Sequence, residues 1–303
     1  MPERATARLA LDARAQLGEC PLWSVAEQKL YWIDIGGHAV HRFDPQSGDN
    51  QHWPMHCAPG CIALAAAGGL VVAMADGWYR FHPDHGQLSK IAPAPYYGSD
   101  TRFNDGRCDA AGRFWAGTMY EPRTKELASM YCLERGRVRL AWGPMQGLGV
   151  KVSNGLAFSG DGRTLYQSDT PNHVVYRFPF DAASATVGAR EVFIRRPDDK
   201  AAPDYGGRPD GAAMDAEDCY WSAQYEGGCI LRFSPAGEII GRIDVPVRRP
   251  TMLAFGGADL KTMYITSARE GASQDELSQQ PHAGGIFSCR VDVAGRPEPH
   301  YLD

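Results

Sequence analysis

Four short polar side chains occupy the same position in repeated segments of the chain. Asn104, Asn154 and Asp210 each lie eight residues before the central residue of a following turn, and Glu19 fills the same position in an earlier segment. The segments are LGECPLWSVAEQKLYW (17–32), RFNDGRCDAAGRFWAG (102–117), VSNGLAFSGDGRTLYQSD (152–169) and RPDGAAMDAEDCYWSAQ (208–224). Carboxylate and amide oxygens are the ligands that hard divalent cations such as Ca²⁺, Mg²⁺ and Mn²⁺ prefer. The pattern therefore indicates a metal site, provided that the fold brings the segments together.

A turn is the alternative interpretation of each segment. Asn-Gly and Asp-Gly are common turn dipeptides, because these side chains bond to their own backbone. For a single copy, turn formation is the better explanation. Four polar groups at one position of a repeat favour the metal site instead.

The elements that must position these residues come from a repeat of about 40–45 residues, which is typical of a propeller blade with four short strands. Each copy contains a strand with an aromatic or apolar anchor, followed by a hairpin and a further strand. Successive anchors are separated by 40, 43, 51, 55 and 43 residues. They are Trp32, Val72, Trp115, Tyr166, Trp221 and Tyr264.

We predict an all-β fold, a six-bladed β-propeller that forms a single domain over residues 1–303. The alternating strand TARLALDA (6–13) is expected to close the ring by adding to the last blade, which removes an exposed sheet edge. The longer spacings predict loop insertions at 120–129 and 195–209. An irregular stack of β-sandwiches, or two all-β domains, is the alternative.

A propeller would bring the repeated polar residues together, since its innermost strands surround a central axis. Glu19, Asn104, Asn154 and Asp210 would then start equivalent inner strands and form a ring at one mouth. The other two blades offer Gly60 or Cys61, and Thr251. Two carboxylates in this ring would neutralise one divalent cation.

Motifs in nearly every repeat resemble those of one known family. LGECPLW, RFNDGRCDAAGRFWAGTM, SNGLAFSGDGRTLY, PDGAAMDAEDCYW and AGGIF are similar to the sugar lactonase family, also called the senescence-marker-protein-30/gluconolactonase family, which includes regucalcin. The resemblance implies a six-bladed propeller that hydrolyses aldonolactones with one divalent metal ion on its axis: Ca²⁺, Zn²⁺, Mn²⁺, Mg²⁺ or Fe(II). It implies Glu19, Asn154 and Asp210 as metal ligands, and Arg102, Asn104 and Glu121 as substrate contacts.

One position departs from the family pattern. The family reads G-E-G-P where this chain has Gly18-Glu19-Cys20-Pro21. Cys20 replaces a flexible glycine beside a ligand, which predicts a changed backbone there.

The expected chemistry assigns a role to each group. A divalent cation polarises a lactone carbonyl and lowers the pKa of water, and Asp210 is the candidate catalytic base. Arg102 offers a rigid fork of donors for sugar oxygens. Asp105 is expected to orient Arg102 or Asn104. The histidines of HWPMHC (52–57) and HPDH (82–85) are expected in the core or on the surface.

Composition narrows the class of partner. A net charge of -5 without a Lys/Arg run argues against nucleic acid. An apolar stretch of about 18 residues, as a membrane span requires, is missing from the sequence. The charged first residues predict a cytoplasmic protein, and the eight scattered cysteines predict free thiols. The expected partner is a small sugar lactone, and the oligomeric state stays open.

Two other functions use the same metal ring. One is a calcium-binding regulatory propeller without turnover, and the other is a metal-dependent phosphotriesterase. The Arg102–Asn104 pair argues against the first, because metal binding alone needs no substrate contact.

Overall fold

The structure, a computed structural model, describes residues 3–203 and 205–303, and β-strands make up most of this part of the chain. Before the first blade come β1 (Glu3–Thr6) and β2 (Arg8–Leu11). The first three blades are β3 (Gly18–Ser24), β4 (Lys29–Asp34), β5 (Ala39–Phe43) and β6 (Asn50–Pro54); β7 (Pro59–Leu64), β8 (Leu70–Met74), β9 (Gly77–His82) and β10 (Gln87–Pro93); β11 (Thr101–Cys108), β12 (Phe114–Tyr120), β13 (Met130–Glu134) and β14 (Arg137–Trp142).

The other three blades follow in the same order. They are β15 (Ser153–Phe158), β16 (Thr164–Asp169), β17 (Val174–Asp181), β18 (Thr186–Val187) and β19 (Glu191–Arg195); β20 (Arg208–Met214), β21 (Tyr220–Tyr225), β22 (Cys229–Phe233) and β23 (Ile239–Asp244); β24 (Pro250–Gly256), β25 (Thr262–Ser267) and β26 (Ile286–Arg290). A short helix, α1 (Gln274–Gln279), precedes β26 and is capped by the side chain of Ser273.

The six sheets form a closed ring, so the predicted six-bladed β-propeller is confirmed. Within each blade consecutive strands pair antiparallel, as expected from the short hairpin connections, except that β18 and β19 both pair with β17 in the fourth blade. The innermost strands are β3, β7, β11, β15, β20 and β24, and each packs against the innermost strands of both neighbouring blades.

The N-terminal segment closes the ring as expected, and it also does more. β2 pairs antiparallel with β26, with Leu9 opposite Phe287, and completes the last blade. β1 adds a parallel strand to the fifth blade, with Ala5 opposite Ile243. The sequence analysis missed β1 because it is four residues long and pairs with a strand far along the chain. The two strands together cover sheet edges of two adjacent blades.

The second strand of each blade is buried and contributes the anchor residues to the core between blades. The six anchor residues are all at most 5% exposed. Two of them are also fixed by buried carboxylates: Trp115 donates to Asp109 (2.8 Å) and Trp221 donates to Asp215 (2.8 Å). Asp109 also accepts from Arg113 Nε at 2.6 Å, so a paired charge sits at the turn between β11 and β12. Such pairing offsets the cost of burying the carboxylate.

The remaining expectations about the chain concern loops and cysteines. The two predicted insertions correspond to the connections 121–129 and 196–207. Position 204 in the second connection is outside the described residues. The eight cysteines are present as thiols, as expected, and six of them are buried. In the ranges that the structure covers, helices are too short or too polar to cross a membrane.

Candidate functional site

A backbone irregularity at the same place in every inner strand positions the site. Each of the six inner strands loses its register with the second strand at, or directly after, the ring position. In five blades two inner-strand residues oppose a single partner residue, which is a β-bulge. A bulge bends the strand and re-aims a side chain. The ring positions are Glu19, Gly60, Asn104, Asn154, Asp210 and Thr251.

The bulges explain the glycines and the unusual cysteine of the motifs. Gly155, which follows Asn154, has a φ of 56°, in the left-handed region that favours glycine. Cys20, which follows Glu19, has a φ of 45°. Cys20 thus takes a left-handed backbone conformation of the kind that favours glycine. Its sulfur is buried and accepts from the backbone N–H of Ile62 at 3.3 Å.

A continuous chain of hydrogen bonds joins the polar residues of three blades. Asn104 Nδ2 donates to Asn154 Oδ1 at 2.7 Å, and Asn154 Nδ2 donates to Asp210 Oδ1 at 2.5 Å. On the other side, Arg102 donates through Nη1 to Asn104 Oδ1 at 2.9 Å and through Nε to Glu121 Oε1 at 2.8 Å. The structure thus connects five of the residues predicted for the site, from Glu121 to Asp210.

A cavity of about 190 Å³ opens over this chain at one mouth of the propeller. Its size is below the roughly 300–1,000 Å³ of pockets for drug-sized ligands and suits a single sugar ring. It is lined by residues of five blades: Leu17, Glu19, Arg102, Asn104, Met119, Arg123, Val152, Asn154, Thr170, Pro171, Arg208, Asp210, Tyr225, Glu270 and Gly271.

The floor of this cavity concentrates negative charge. Burial raises the pKa of Glu19 well above its ordinary value, and the charges of Asp210 and Asp105 raise it further. Burial raises the pKa of Asp210 to about 8, with Asp105 adding to the effect and Arg208 opposing it. Two carboxylates that repel each other in a buried place are stabilised by a shared cation.

The donor set therefore fits a divalent cation. Glu19, Asn154 and Asp210 come from three blades, are at most 9% exposed and line one cavity. They offer two carboxylates and one amide, which match the charge and hardness of a divalent ion. In addition, Asp105 Oδ1 is buried and has no hydrogen-bond partner in the structure.

Two of the predicted residues, Glu121 and Asp105, do not line the cavity. Glu121 reaches the site through its hydrogen bond with Arg102. Asp105 accepts through Oδ2 from the backbone N–H of Leu156 at 2.8 Å, so it joins the third blade to the fourth. This hydrogen bond to Leu156 stands in place of the expected contact of Asp105 with Arg102 or Asn104.

Sequence analysis missed several residues that line the cavity, among them Arg123, Arg208, Tyr225 and Glu270. Arg208 could have been found, since it stands two residues before Asp210, as Arg102 stands two before Asn104. Arg123 lies in the insertion after β12 and Glu270 after β25, where the repeat gives no guide.

A second group of possible ligands lies in the second blade. His56 Nε2 is 3.1 Å from Asp76 Oδ2, and Cys57 Sγ donates to Asp76 Oδ1 at 3.2 Å. Tyr79 and Lys90 also donate to Asp76 Oδ2, at 2.7 and 3.5 Å. The carboxylate is already satisfied by these four donors, so the group fixes two loops. His56 is exposed, as expected.

Comparison with known proteins places the chain in a family. Residues 17–269 match the family model described as "SMP-30/Gluconolactonase/LRE-like region". The chain belongs to this family. It is 46% identical over 285 residues to the 6-deoxy-6-sulfogluconolactonase of Pseudomonas putida, covering 93% of this chain and 94% of that protein.

Two further relatives cover nearly the whole chain. It is 33% identical to pentonolactonase XacC of Haloferax volcanii, covering 97% of both chains. The crystal structure of a calcium-binding protein, regucalcin, from Agrobacterium tumefaciens superimposes with a TM-score of 0.91 at 29% identity, covering 99% of this chain and 98% of that one.

Proposed function

We propose that the protein is a sugar lactonase that hydrolyses an aldonolactone to the aldonic acid with one divalent cation held by Glu19, Asn154 and Asp210. The observation that carries the proposal is the hydrogen-bond chain from Glu121 to Asp210 under one sugar-sized cavity. Relatives of this family that are named as lactonases support the reaction class. Cytoplasmic location stays a prediction.

The bound cation would polarise the lactone carbonyl, stabilise the oxyanion and lower the pKa of water. Asp210 would take the proton from the attacking water. The water oxygen would bond to the carbonyl carbon, the ring C–O bond would break, and Asp210 would return the proton that it took from water to the leaving alkoxide. The hydrogen bond from Asn154 to Asp210 Oδ1 holds the carboxylate in one orientation for this transfer.

Arg102, Asn104 and Glu121 would orient the sugar. Glu121 fixes the Arg102 guanidinium, whose Nη1 is also held by the Phe103 carbonyl at 2.9 Å. Asn104 is held by Arg102 and Asn154, so its amide cannot rotate freely. Pre-oriented donors of this kind position a substrate without a further loss of side-chain entropy. Asp105, through Leu156, would keep the third and fourth blades in register.

Two rivals use the same ring. The regucalcin of Agrobacterium tumefaciens is described as a calcium-binding protein, which is compatible with metal binding without turnover. A phosphotriesterase would also need a cation on the axis. Neither requires the guanidinium–amide pair of Arg102 and Asn104 beside the ring.

A single series of assays separates these functions. The purified protein is stripped with a chelator, then given Ca²⁺, Zn²⁺, Mn²⁺, Mg²⁺ or Fe(II), and tested on pentono- and hexonolactones and on a phosphotriester. We expect lactone hydrolysis to disappear with the chelator and to return with at least one ion. Tight cation binding without lactone hydrolysis would favour the regulatory protein, and turnover of the phosphotriester alone would favour the phosphotriesterase.

A further inference from the structure

A second layer of residues lies at the strand starts, two positions before the ring. Its members are Leu17, Ala58, Arg102, Val152, Arg208 and Arg249, one from each blade. Residues two apart in a strand point to the same side, and four of these six line the cavity. The layer therefore places three arginines around or near the mouth.

Two of these arginines already have partners for their guanidinium groups. Arg102 is held by Glu121 and Asn104. Arg249 donates to both carboxylate oxygens of Glu276, at 2.5 and 3.0 Å. Both are therefore explained by the structure without a ligand.

Arg208 has donors left over. Its Nε is buried and has no hydrogen-bond partner in the described chain. Its Nη2 lies 3.3 Å from Glu226 Oε2, but the same oxygen also receives Lys200 Nζ at 2.9 Å and the Tyr205 hydroxyl at 3.1 Å. One carboxylate thus faces two cations. The guanidinium lies over the ring of Tyr225, 5.2 Å from its centroid, which keeps it extended at the cavity wall.

Arg123 is a second arginine with unused donors. It lines the same cavity and is exposed on the loop 121–129. Among residues 3–203 and 205–303, hydrogen bonds and ion pairs of its side chain are absent.

The charges around the mouth leave a positive surplus. Glu19 and Asp210 together balance the two positive charges of a divalent cation. The charged groups that remain are three cations, Arg123, Arg208 and Lys200, and two carboxylates, Glu226 and Glu270. Low-dielectric clefts with one sign of charge concentrate ligands of the opposite sign. Arginine forks are suited to oxyanions because they donate two parallel hydrogen bonds.

We propose that Arg123 and Arg208 form a subsite for a tetrahedral anionic group, a sulfonate or a phosphate, at the end of the sugar remote from the lactone carbonyl. The Arg123 fork lies on the loop 121–129 and the Arg208 fork at the start of β20, so two blades supply donors to one cavity. Two forks suit the three oxygens of a tetrahedral group better than the two of a planar carboxylate. The inference rests on the proposed lactonase function, since the carbonyl must lie at the metal ring for the other end to reach these arginines.

The test compares hexonolactones that differ at C6 alone. The substituents are hydroxyl, sulfonate, phosphate and carboxylate, and hydrolysis is followed by proton release at saturating metal ion. We expect kcat/KM to be highest for the sulfonate or phosphate. In Arg123→Gln and Arg208→Gln, the ratio of kcat/KM for that lactone over the hydroxyl lactone should fall about ten- to hundredfold, the range for hydrogen bonds to charged groups.

Lys125→Gln is the matched control. It removes one positive charge from the same exposed loop but does not line the cavity. The ratio should stay within about twofold of the parent value, which separates direct contact from long-range attraction. Arg123 is exposed, so its variant also serves if Arg208→Gln fails to fold.

The outcomes distinguish the subsite from the lactonase function. If the hydroxyl lactone is hydrolysed but the ratio is unchanged in both arginine variants, the subsite is wrong and the lactonase function stands. A preference for the carboxylate lactone would also overturn the tetrahedral subsite. If no lactone is hydrolysed, calorimetric binding of the open-chain sulfonated acid decides: affinity equal to that of the unsubstituted acid refutes the subsite, and tighter binding lost in Arg123→Gln supports it.

Discussion

Asp210→Asn separates the two roles that we assign to Asp210, ligand and base. Asparagine keeps an oxygen at almost the same position and nearly the same volume. In the parent protein, Asn154 Nδ2 donates to Asp210 Oδ1 at 2.5 Å. The asparagine oxygen can still accept this hydrogen bond, so the chain of contacts across three blades is retained. What is lost is one negative charge and the ability to take a proton from water near neutral pH.

The expected loss follows from these roles. A general base contributes about 10²–10⁴-fold to the rate. Removing one of two carboxylates also weakens metal binding, and this part is recovered by adding more metal ion. We therefore expect kcat of Asp210→Asn to stay two to four orders of magnitude below the parent value at saturating metal ion. The assay is lactone hydrolysis during a metal titration of the purified variant.

Glu19→Gln is the matched control, because Glu19 is a proposed ligand without a role as base. Its rate should return to near the parent value at high metal concentration. Recovery of Asp210→Asn to the same level would refute the assignment of Asp210 as the base. The water would then be activated by the metal ion without help from a carboxylate.

Three further predictions follow from buried groups. Binding of metal ion should strengthen with pH, because Asp210, with a pKa of about 8, must lose its proton first, and burial raises the pKa of Glu19 as well; equilibrium dialysis should show Kd tightening about tenfold per pH unit for the Asp210 proton below about pH 8, and a flat profile from about pH 6 would contradict the raised pKa. Gly155→Ala should abolish most lactonase activity, since an added Cβ would lie 2.3 Å from the Tyr220 hydroxyl and 2.9 Å from the Asp210 carbonyl; Gly162→Ala, at a similar φ with open space around it, should keep its activity. Asp109→Ala should cost about 3–5 kcal/mol in urea unfolding because Arg113 loses its buried partner, whereas the exposed Asp161→Ala should change stability by about 0.5 kcal/mol or less.

The fold was accessible from the sequence because each blade repeats one hydrophobic pattern. The anchors from Trp32 to Tyr264 are buried for the same reason that they recur: each fills the gap between adjacent blades. The closing strand was also predictable, since 6–13 alternates and the last blade lacks a fourth strand. β1 was not, because nothing in four residues specifies a parallel partner strand so far along the chain, where Glu3 lies opposite Gly241.

The residues of the central ring could be predicted from their position in the repeat. The β-bulges that orient their side chains toward the axis could not. The Asn-Gly and Asp-Gly pairs looked like turns or ligands, and they are parts of bulges inside strands. The bulge lets the residue before or at it leave the regular alternation and face the axis. Asn154 and Asp210 are thus brought within hydrogen-bonding distance although they belong to different sheets.

The six ring positions carry different residue types, so the site is asymmetric about the propeller axis. The Thr251 hydroxyl donates to the carbonyl of Gly18 at 2.5 Å, and its oxygen lies 2.8 Å from the Thr266 hydroxyl, so the sixth blade supports the backbone beside Glu19. Gly60 leaves space that the third blade fills, since a Cβ there would lie 2.4 Å from the Phe103 carbonyl. The ring groups that line the cavity therefore come from blades one, three, four and five. The arginines with unused donors, Arg123 and Arg208, belong to the third and fifth blades. In the proposed binding mode, a sugar whose carbonyl faces Asp210 would be guided by Arg102 on one side, and its far end would meet Arg123 and Arg208. The residues proposed for hydrolysis at the cavity floor and those proposed for substrate selection at its rim occupy separate strand positions and loops. Substitutions can therefore alter the substrate preference without altering the hydrolytic residues.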